Sequence, residues 1–170
     1  EGPPLAELLL QLKLSRIQCI NLTRQLLKAL AAVHELDVVH RDLKPHNMVV
    51  IGDLSSDMSA VPSLKLLDFG IAKIPDGTKA HETKSGMLMG TPAYMAPEQI
   101  AGGPVSSKTD MYAVGEILCE MLTGQRLFDD EPMAILRTKL SSTEPSVSIP
   151  DSPKLEKLVL DCLKWDPAER

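Results

Sequence analysis

Residues 40–47 read His-Arg-Asp-Leu-Lys-Pro-His-Asn, a mixture of apolar and polar side chains without a helical or strand period. Such a stretch predicts an irregular loop. A long helical pattern precedes it, and the β-branched run Met48–Ile51 follows it as a candidate strand. A second short strand pattern at residues 64–67 leads directly into Asp-Phe-Gly at 68–70. The sequence therefore predicts a two-stranded ribbon with polar loops before its first strand and after its second.

These two loops carry the residues best suited to chemistry. Two antiparallel strands would bring the loops to the same end of the ribbon, which would place Asp42, Lys44, Asn47 and Asp68 close together. Carboxylate and amide oxygens suit Mg²⁺, whose shell is usually completed by substrate phosphates. A lysine supplies a compact positive charge for a phosphoryl group, and the remaining aspartate can accept a proton. Either aspartate taken singly is better explained as a helix or turn cap, so the prediction depends on the whole set.

Helical periodicity covers most of the remaining chain, at residues 4–12, 15–36, 111–122, 131–140 and 155–163. Ser15 and Gln18 have the spacing of a capping box, and Gly124 closes the clean apolar face of the third pattern, residues 111–122. Residues 52–63 and 141–153 are predicted loops, and residues 68–98 show no period. We expect a mainly α fold with a small β-ribbon (α+β).

Composition limits the class of protein. The chain has 170 residues, 44% of them hydrophobic and 24% charged, which is ordinary for one globular domain or part of one. A net charge of −5 argues against tracking nucleic-acid backbones. No apolar run approaches the roughly 20 residues of a membrane span, and no signal-peptide pattern is present. The three separated cysteines fit neither a disulfide framework nor a zinc site, which favours a reducing, cytoplasmic compartment.

Three motifs, which follow one another along the chain, make the sequence similar to a known family of proteins. They are His-Arg-Asp at 40–42 with Asn five positions after the Asp, Asp-Phe-Gly at 68–70 and Ala-Pro-Glu at 96–98. Over nearly its whole length the chain resembles the C-terminal lobe of eukaryotic-type Ser/Thr protein kinases. Lys44 and the Gly-Thr-Pro-Ala-Tyr run at 90–94 are similar to the Ser/Thr branch, and residues 90–99 are similar to bacterial members.

The resemblance implies roles for individual residues. Asp42 would orient the substrate hydroxyl and accept its proton, and Lys44 would neutralise charge on the γ-phosphate of ATP. Asn47 and Asp68 would hold Mg²⁺. Thr91 would lie beside Asp42 and Lys44 and help to select a hydroxyl substrate.

Other residues would shape the site rather than react. His40 would be a packed, hydrogen-bonded scaffold residue, and Asp110 would hydrogen-bond the backbone of the 40–47 loop. Glu98 would pair with Arg170, the arginine of an Asp-Pro-x-x-Arg motif. Arg41, immediately before the catalytic aspartate, suggests control by phosphorylation of the activation segment at 68–98.

Thr83 and Ser85 are the candidate phosphosites of that segment, and ordinary loop residues are the alternative. The resemblance also implies ATP and Mg²⁺ as cofactors, proteins with Ser or Thr as substrates, and self-association for autophosphorylation. No nucleic acid is expected as a partner. The parent protein could carry a membrane anchor.

The chain lacks the Gly-x-Gly-x-x-Gly loop and the strand lysine that kinases also need. We therefore expect residues 1–170 to be a C-lobe fragment of a protein kinase domain, without the N-lobe and the final helix. Such a fragment alone would bind ATP weakly or not at all and be inactive, whereas its parent could be an active kinase. Two alternatives stay open at this point. They are a pseudokinase and a lone lobe that serves as an interaction or scaffold module.

Overall fold

The computed structural model describes residues 2–52, 62–67 and 92–170 of the chain. These ranges contain six α-helices and two strands, together with three short 3₁₀ turns. In chain order they are α1 (Leu5–Gln11), α2 (Arg16–His34), β1 (Met48–Ile51), β2 (Ser63–Leu66), α3 (Pro97–Ile100), α4 (Ser107–Thr123), α5 (Pro132–Leu140) and α6 (Pro153–Cys162). The predicted mainly helical fold with one small ribbon is confirmed. The short helix α3, which begins at a proline, was not predicted within the aperiodic stretch.

Helix α2 begins where the sequence predicts. The Ser15 hydroxyl accepts from the Gln18 backbone N–H at 3.2 Å, and the Gln18 side chain accepts from the Ser15 N–H at 2.8 Å. This reciprocal box satisfies two of the N–H groups that a helix start leaves without partners. Leu22, Leu26 and Leu30 repeat along one face of α2 and are almost completely buried in the core.

The ribbon is antiparallel, as predicted, and pairs Met48 with Leu66 and Ile51 with Ser63. Its second strand begins at residue 63, one position before the predicted start. The backbone near the N-terminus also joins the ribbon, since the Val50 N–H donates to the Pro3 carbonyl at 3.1 Å. Only glycine fits at position 2, because a Cβ there would lie 1.9 Å from the Val50 oxygen.

Helix α4 lies at the centre and packs against α2 and α6. It ends at Gly124, whose left-handed φ of 74° is the predicted cap. The sequence predicted one apolar face, but nearly every residue from Thr109 to Met121 is buried. The burial therefore includes acidic side chains on the other faces of the helix, and each of these needs a partner.

Among the described residues, no helix combines the length and apolar character needed to cross a bilayer.

Candidate active site

The 40–47 loop lies between α2 and β1 and is anchored by helix α4. The Asp110 carboxylate, which is 1% exposed, accepts the backbone N–H groups of His40 at 2.9 Å and Arg41 at 3.0 Å. The Nε2 atom of His34 lies 2.7 Å from the same carboxylate. Three donors satisfy a buried charge that would otherwise be costly. Asp110, which follows His40 by 70 residues, therefore fixes the start of the loop. This is the contact that the resemblance implied for Asp110.

Arg41 has a left-handed backbone with φ of 67°, which is uncommon for a residue with a Cβ. Two neighbours hold it there. Asp110 accepts its N–H, and the Gln99 side chain of α3 donates to its carbonyl at 2.8 Å. The same Gln99 side chain accepts from the Ala96 N–H at 3.1 Å. A strained backbone persists where its surroundings over-determine it, and here that constraint sets the direction of Asp42.

His40 is completely buried and acts as a fixed spacer between the loop and the ribbon. Its Nδ1 accepts from the Asp42 N–H at 3.3 Å, and its Nε2 lies 3.2 Å from the Leu67 carbonyl. These contacts define a neutral ring with the proton on Nε2. Burial lowers the pKa of His40 below its ordinary value, which agrees with a neutral scaffold residue.

Asp42, Lys44 and Asn47 form one hydrogen-bonded cluster at the end of the ribbon. Lys44 Nζ lies 3.1 Å from Asp42 Oδ2, and both side chains are about one-fifth exposed. The Asn47 amide nitrogen donates to the Asp42 carbonyl at 2.9 Å. A small cleft beside the cluster is also lined by Tyr94 and Met95. The carboxylate and the ammonium are thus both fixed in place and reachable from solvent.

The second loop at this end of the ribbon is described only as far as residue 67. The Leu67 N–H donates to the Asn47 carbonyl at 2.8 Å, so the chain that leads into Asp68 runs beside Asn47. Four residues with predicted roles lie outside the described residues. They are Asp68, Thr83, Ser85 and Thr91.

The donor set that is described fits a magnesium–phosphate complex. Because the Asn47 nitrogen is used as a donor, its side-chain oxygen is the atom that can face a cation. Magnesium takes such oxygens together with phosphate oxygens, and Lys44 adds a compact positive charge. In the described ranges, no group of three or more His, Cys, Asp or Glu side chains could hold a metal ion by itself.

Glu98 and Arg170 form the bidentate pair that the resemblance implied, with N–O distances of 2.8 and 2.9 Å. The side chains are 8% and 0% exposed. Thr109 donates to the same carboxylate at 2.8 Å, and the Arg170 guanidinium lies over the Tyr112 ring. Two parallel N–H···O bonds give this contact both strength and a fixed direction. The pair ties α3 to the end of the described chain.

Sequence reasoning missed a second layer of polar contacts. Lys139 forms a buried ion pair with Glu116 at 2.6 Å, and Tyr94 donates to Glu120 at 2.6 Å. Gln99 links α3 to the loop. Burial raises the pKa of Tyr94, so its hydroxyl stays a donor. The sequence feature that could have indicated these contacts is the pair of acidic residues at positions 116 and 120, in the otherwise apolar helix α4.

A helical lobe in which a strained His-Arg-Asp loop meets a short ribbon has the form of the large lobe of a protein kinase. The chain belongs to the protein kinase domain family, whose model matches residues 1–170.

Its curated relatives are bacterial Ser/Thr protein kinases. Serine/threonine-protein kinase pkn3 of Myxococcus xanthus is 38% identical over 159 residues, covering 89% of this chain and 28% of its own. Pkn1 of the same organism is 38% identical over 157 residues, covering 89% of this chain and 22% of its own. PrkC of Bacillus subtilis is 34% identical over 159 residues, covering 90% of this chain and 23% of its own. The chain therefore spans about a quarter of the length of these relatives, and the predicted likeness to bacterial Ser/Thr kinases is confirmed.

Proposed function

We propose that the full-length protein is a Ser/Thr protein kinase that transfers the γ-phosphate of ATP to Ser and Thr hydroxyls of other proteins. The observation that carries this proposal is the cluster of Asp42, Lys44 and Asn47, joined by contacts of 3.1 and 2.9 Å. The printed names of the relatives support the same activity.

Each side chain of the cluster has a part in the transfer. The acceptor hydroxyl donates to Asp42, which takes its proton as the new oxygen–phosphorus bond forms and the bond to the ADP oxygen breaks. Lys44 holds Asp42 in place and counters the negative charge of the phosphoryl group. Bound Mg²⁺ neutralises phosphate charge, and Asn47 and Asp68 are the residues that would hold it. Thr91 would help to seat the hydroxyl beside Asp42.

The test is transfer of labelled phosphate from Mg·ATP to a Ser/Thr peptide library by the full-length protein. The variant Asp42→Asn removes the proton acceptor and should lower transfer about 10²-fold or more. Asp37→Asn is the matched control. Asp37 is exposed and left-handed, with φ of 57°, a conformation that asparagine tolerates well.

Equal activity in the wild type and the Asp42→Asn variant would contradict the assigned role of Asp42. A folded wild-type protein without any transfer would instead indicate a pseudokinase or a scaffold module. Nucleotide binding measured by calorimetry, with and without Mg²⁺, would separate those two cases.

We further propose that phosphorylation of the activation segment controls the site. The Nε atom of Arg41 is buried and has no hydrogen-bond partner among the described residues, so an acceptor from the 68–91 stretch would satisfy it. A phosphate on Thr83 or Ser85 is such an acceptor. Mass spectrometry of the self-phosphorylated protein should find one of these residues modified, and the matching alanine variant should be less active.

Self-phosphorylation between two copies would imply transient self-association of the protein. Its rate per molecule should then rise with protein concentration, whereas a reaction within one molecule would not depend on concentration. In this proposal the kinase domain lies in the cytoplasm, because its co-substrate ATP is available there.

A further inference from the structure

Lys139 of α5 is a lysine without access to solvent, since its side chain is 0% exposed. Lysines are almost never fully buried unless they are paired. The Nζ atom lies 2.7 Å from the Ala93 carbonyl, 2.8 Å from the Met95 carbonyl and 2.6 Å from Glu116 Oε1. A charged ammonium has three N–H donors, and each has one acceptor here.

The surroundings show that this charge is compensated from within the protein. Nζ lies 4.6 Å from the centroid of the Phe128 ring and 5.1 Å from that of Tyr112, within the range of cation–π attraction. Burial raises the pKa of Glu116 and lowers that of Lys139, and the attraction between the two groups opposes both shifts. The contact of 2.6 Å thus compensates each group for the water that it has lost, and removing one group alone would leave the other buried without its partner.

The two carbonyls that Lys139 binds flank Tyr94, the last residue of the 3₁₀ turn at Pro92–Tyr94. Tyr94 is anchored in turn by its hydroxyl, which donates to Glu120. Tyr94 and Met95 line the same small cleft as Asp42. The buried lysine thus fixes, from the core side, the backbone that forms one wall of the candidate active site.

We propose that Lys139, held by Glu116, is a positioning residue for the protein substrate. It fixes residues 92–95 as the surface on which the polypeptide around the acceptor hydroxyl rests. This inference depends on the proposed kinase function, because only a polypeptide substrate needs such a surface next to Asp42. The nucleotide need not touch it, so the role should appear in the peptide KM and not in the KM for ATP.

The test removes the contacts that Lys139 makes with residues 93 and 95 without leaving a lone buried charge. The double variant Lys139→Met/Glu116→Gln replaces the ion pair with uncharged side chains of similar length, so that neither position keeps an unpaired buried charge. The surface pair Lys157 and Asp161, at 2.7 Å with exposed side chains, provides a control of equal chemistry as Lys157→Met/Asp161→Asn.

Steady-state kinetics of the full-length protein use the best peptide from the library described above. We expect the double variant to raise the peptide KM about tenfold, with kcat and the KM for ATP changed less than about twofold. The surface control should match the wild type in all three constants. Circular dichroism and thermal unfolding establish that both double variants are folded.

An unchanged peptide KM in the folded double variant would overturn the proposal. A rise in both KM values together with a comparable fall in kcat would overturn it as well, because that pattern indicates a general structural role. If the double variant does not fold, the single variant Lys139→Arg tests the proposal instead. It keeps a charge for Glu116, but its planar fork cannot place three donors on the same acceptors. If the peptide KM of that variant equals the wild-type value, the positioning role of Lys139 is refuted. No transfer by the wild-type protein would refute the proposed kinase function itself, and with it any substrate role for Lys139.

Discussion

Replacing Asp110 with alanine would remove the acceptor that fixes the start of the 40–47 loop. The His40 N–H, fully buried and 2.9 Å from this carboxylate, would lose its partner at a cost of about 1–3 kcal/mol. The Arg41 N–H is only partly buried, so its loss adds about 1 kcal/mol, at the low end of the same range. The sum is about 2–4 kcal/mol, a large share of the roughly 5–15 kcal/mol by which domains are stable.

Urea unfolding of the full-length protein, followed by circular dichroism, measures this loss. With a slope of about 2 kcal/mol per molar urea, the midpoint should fall by about 1–2 M. Asp110→Asn keeps one oxygen and should lie between the alanine variant and the wild type. Asp129→Asn makes the same chemical change on a side chain that is 77% exposed, and should shift stability by less than about 0.5 kcal/mol. An alanine variant that unfolds together with this control would refute the reasoning.

Three further outcomes follow from other contacts. Glu98→Gln breaks a pair whose Arg170 side chain is fully buried and should lower the free energy of unfolding by about 3 kcal/mol; a loss below about 1 kcal/mol would show that Arg170 is satisfied without Glu98. Gly115→Ala would place a Cβ 2.7 Å from the Cβ of Cys162, and overpacking of about 1–3 kcal/mol should lower Tm in calorimetry. An unchanged Tm would mean that α4 and α6 can separate freely. Burial lowers the pKa of folded His40, so the unfolded chain binds more protons, and stability should fall as pH drops below about 6.5. Urea midpoints at pH 7 and pH 5 should differ less for His40→Phe than for the wild type; equal differences would contradict the assignment.

The features that the sequence predicted well are those set by neighbours along the chain. The capping box at Ser15 and Gln18 and the left-handed cap at Gly124 each depend on a few adjacent residues. The cluster of Asp42 and Asn47 also comes from one short loop, so spacing alone places these two residues together.

The partners of buried charges could not be predicted in this way. Lys139 lies on a weakly patterned helix, where a lysine is normally assigned to the solvated face. Glu116 lies 23 residues earlier, and the two side chains meet only because the fold brings the end of α5 to α4. Residue spacing within one helix carries no information about which element covers it. The left-handed backbone of Arg41 was likewise unpredictable, since its supports Gln99 and Asp110 are distant in sequence.

The anchoring of the 40–47 loop by Asp110 also has a consequence for synthesis of the protein. The acceptor follows His40 by 70 residues, so at about 5–20 residues per second it leaves the ribosome on the order of 10 s later. During this interval the nascent chain holds the residues of the site without the carboxylate that organises them. In the proposed kinase, the 40–47 loop therefore gains its anchor only after the start of α4 has been translated, and a chain released before α4 would contain the His-Arg-Asp motif without the Asp110 carboxylate.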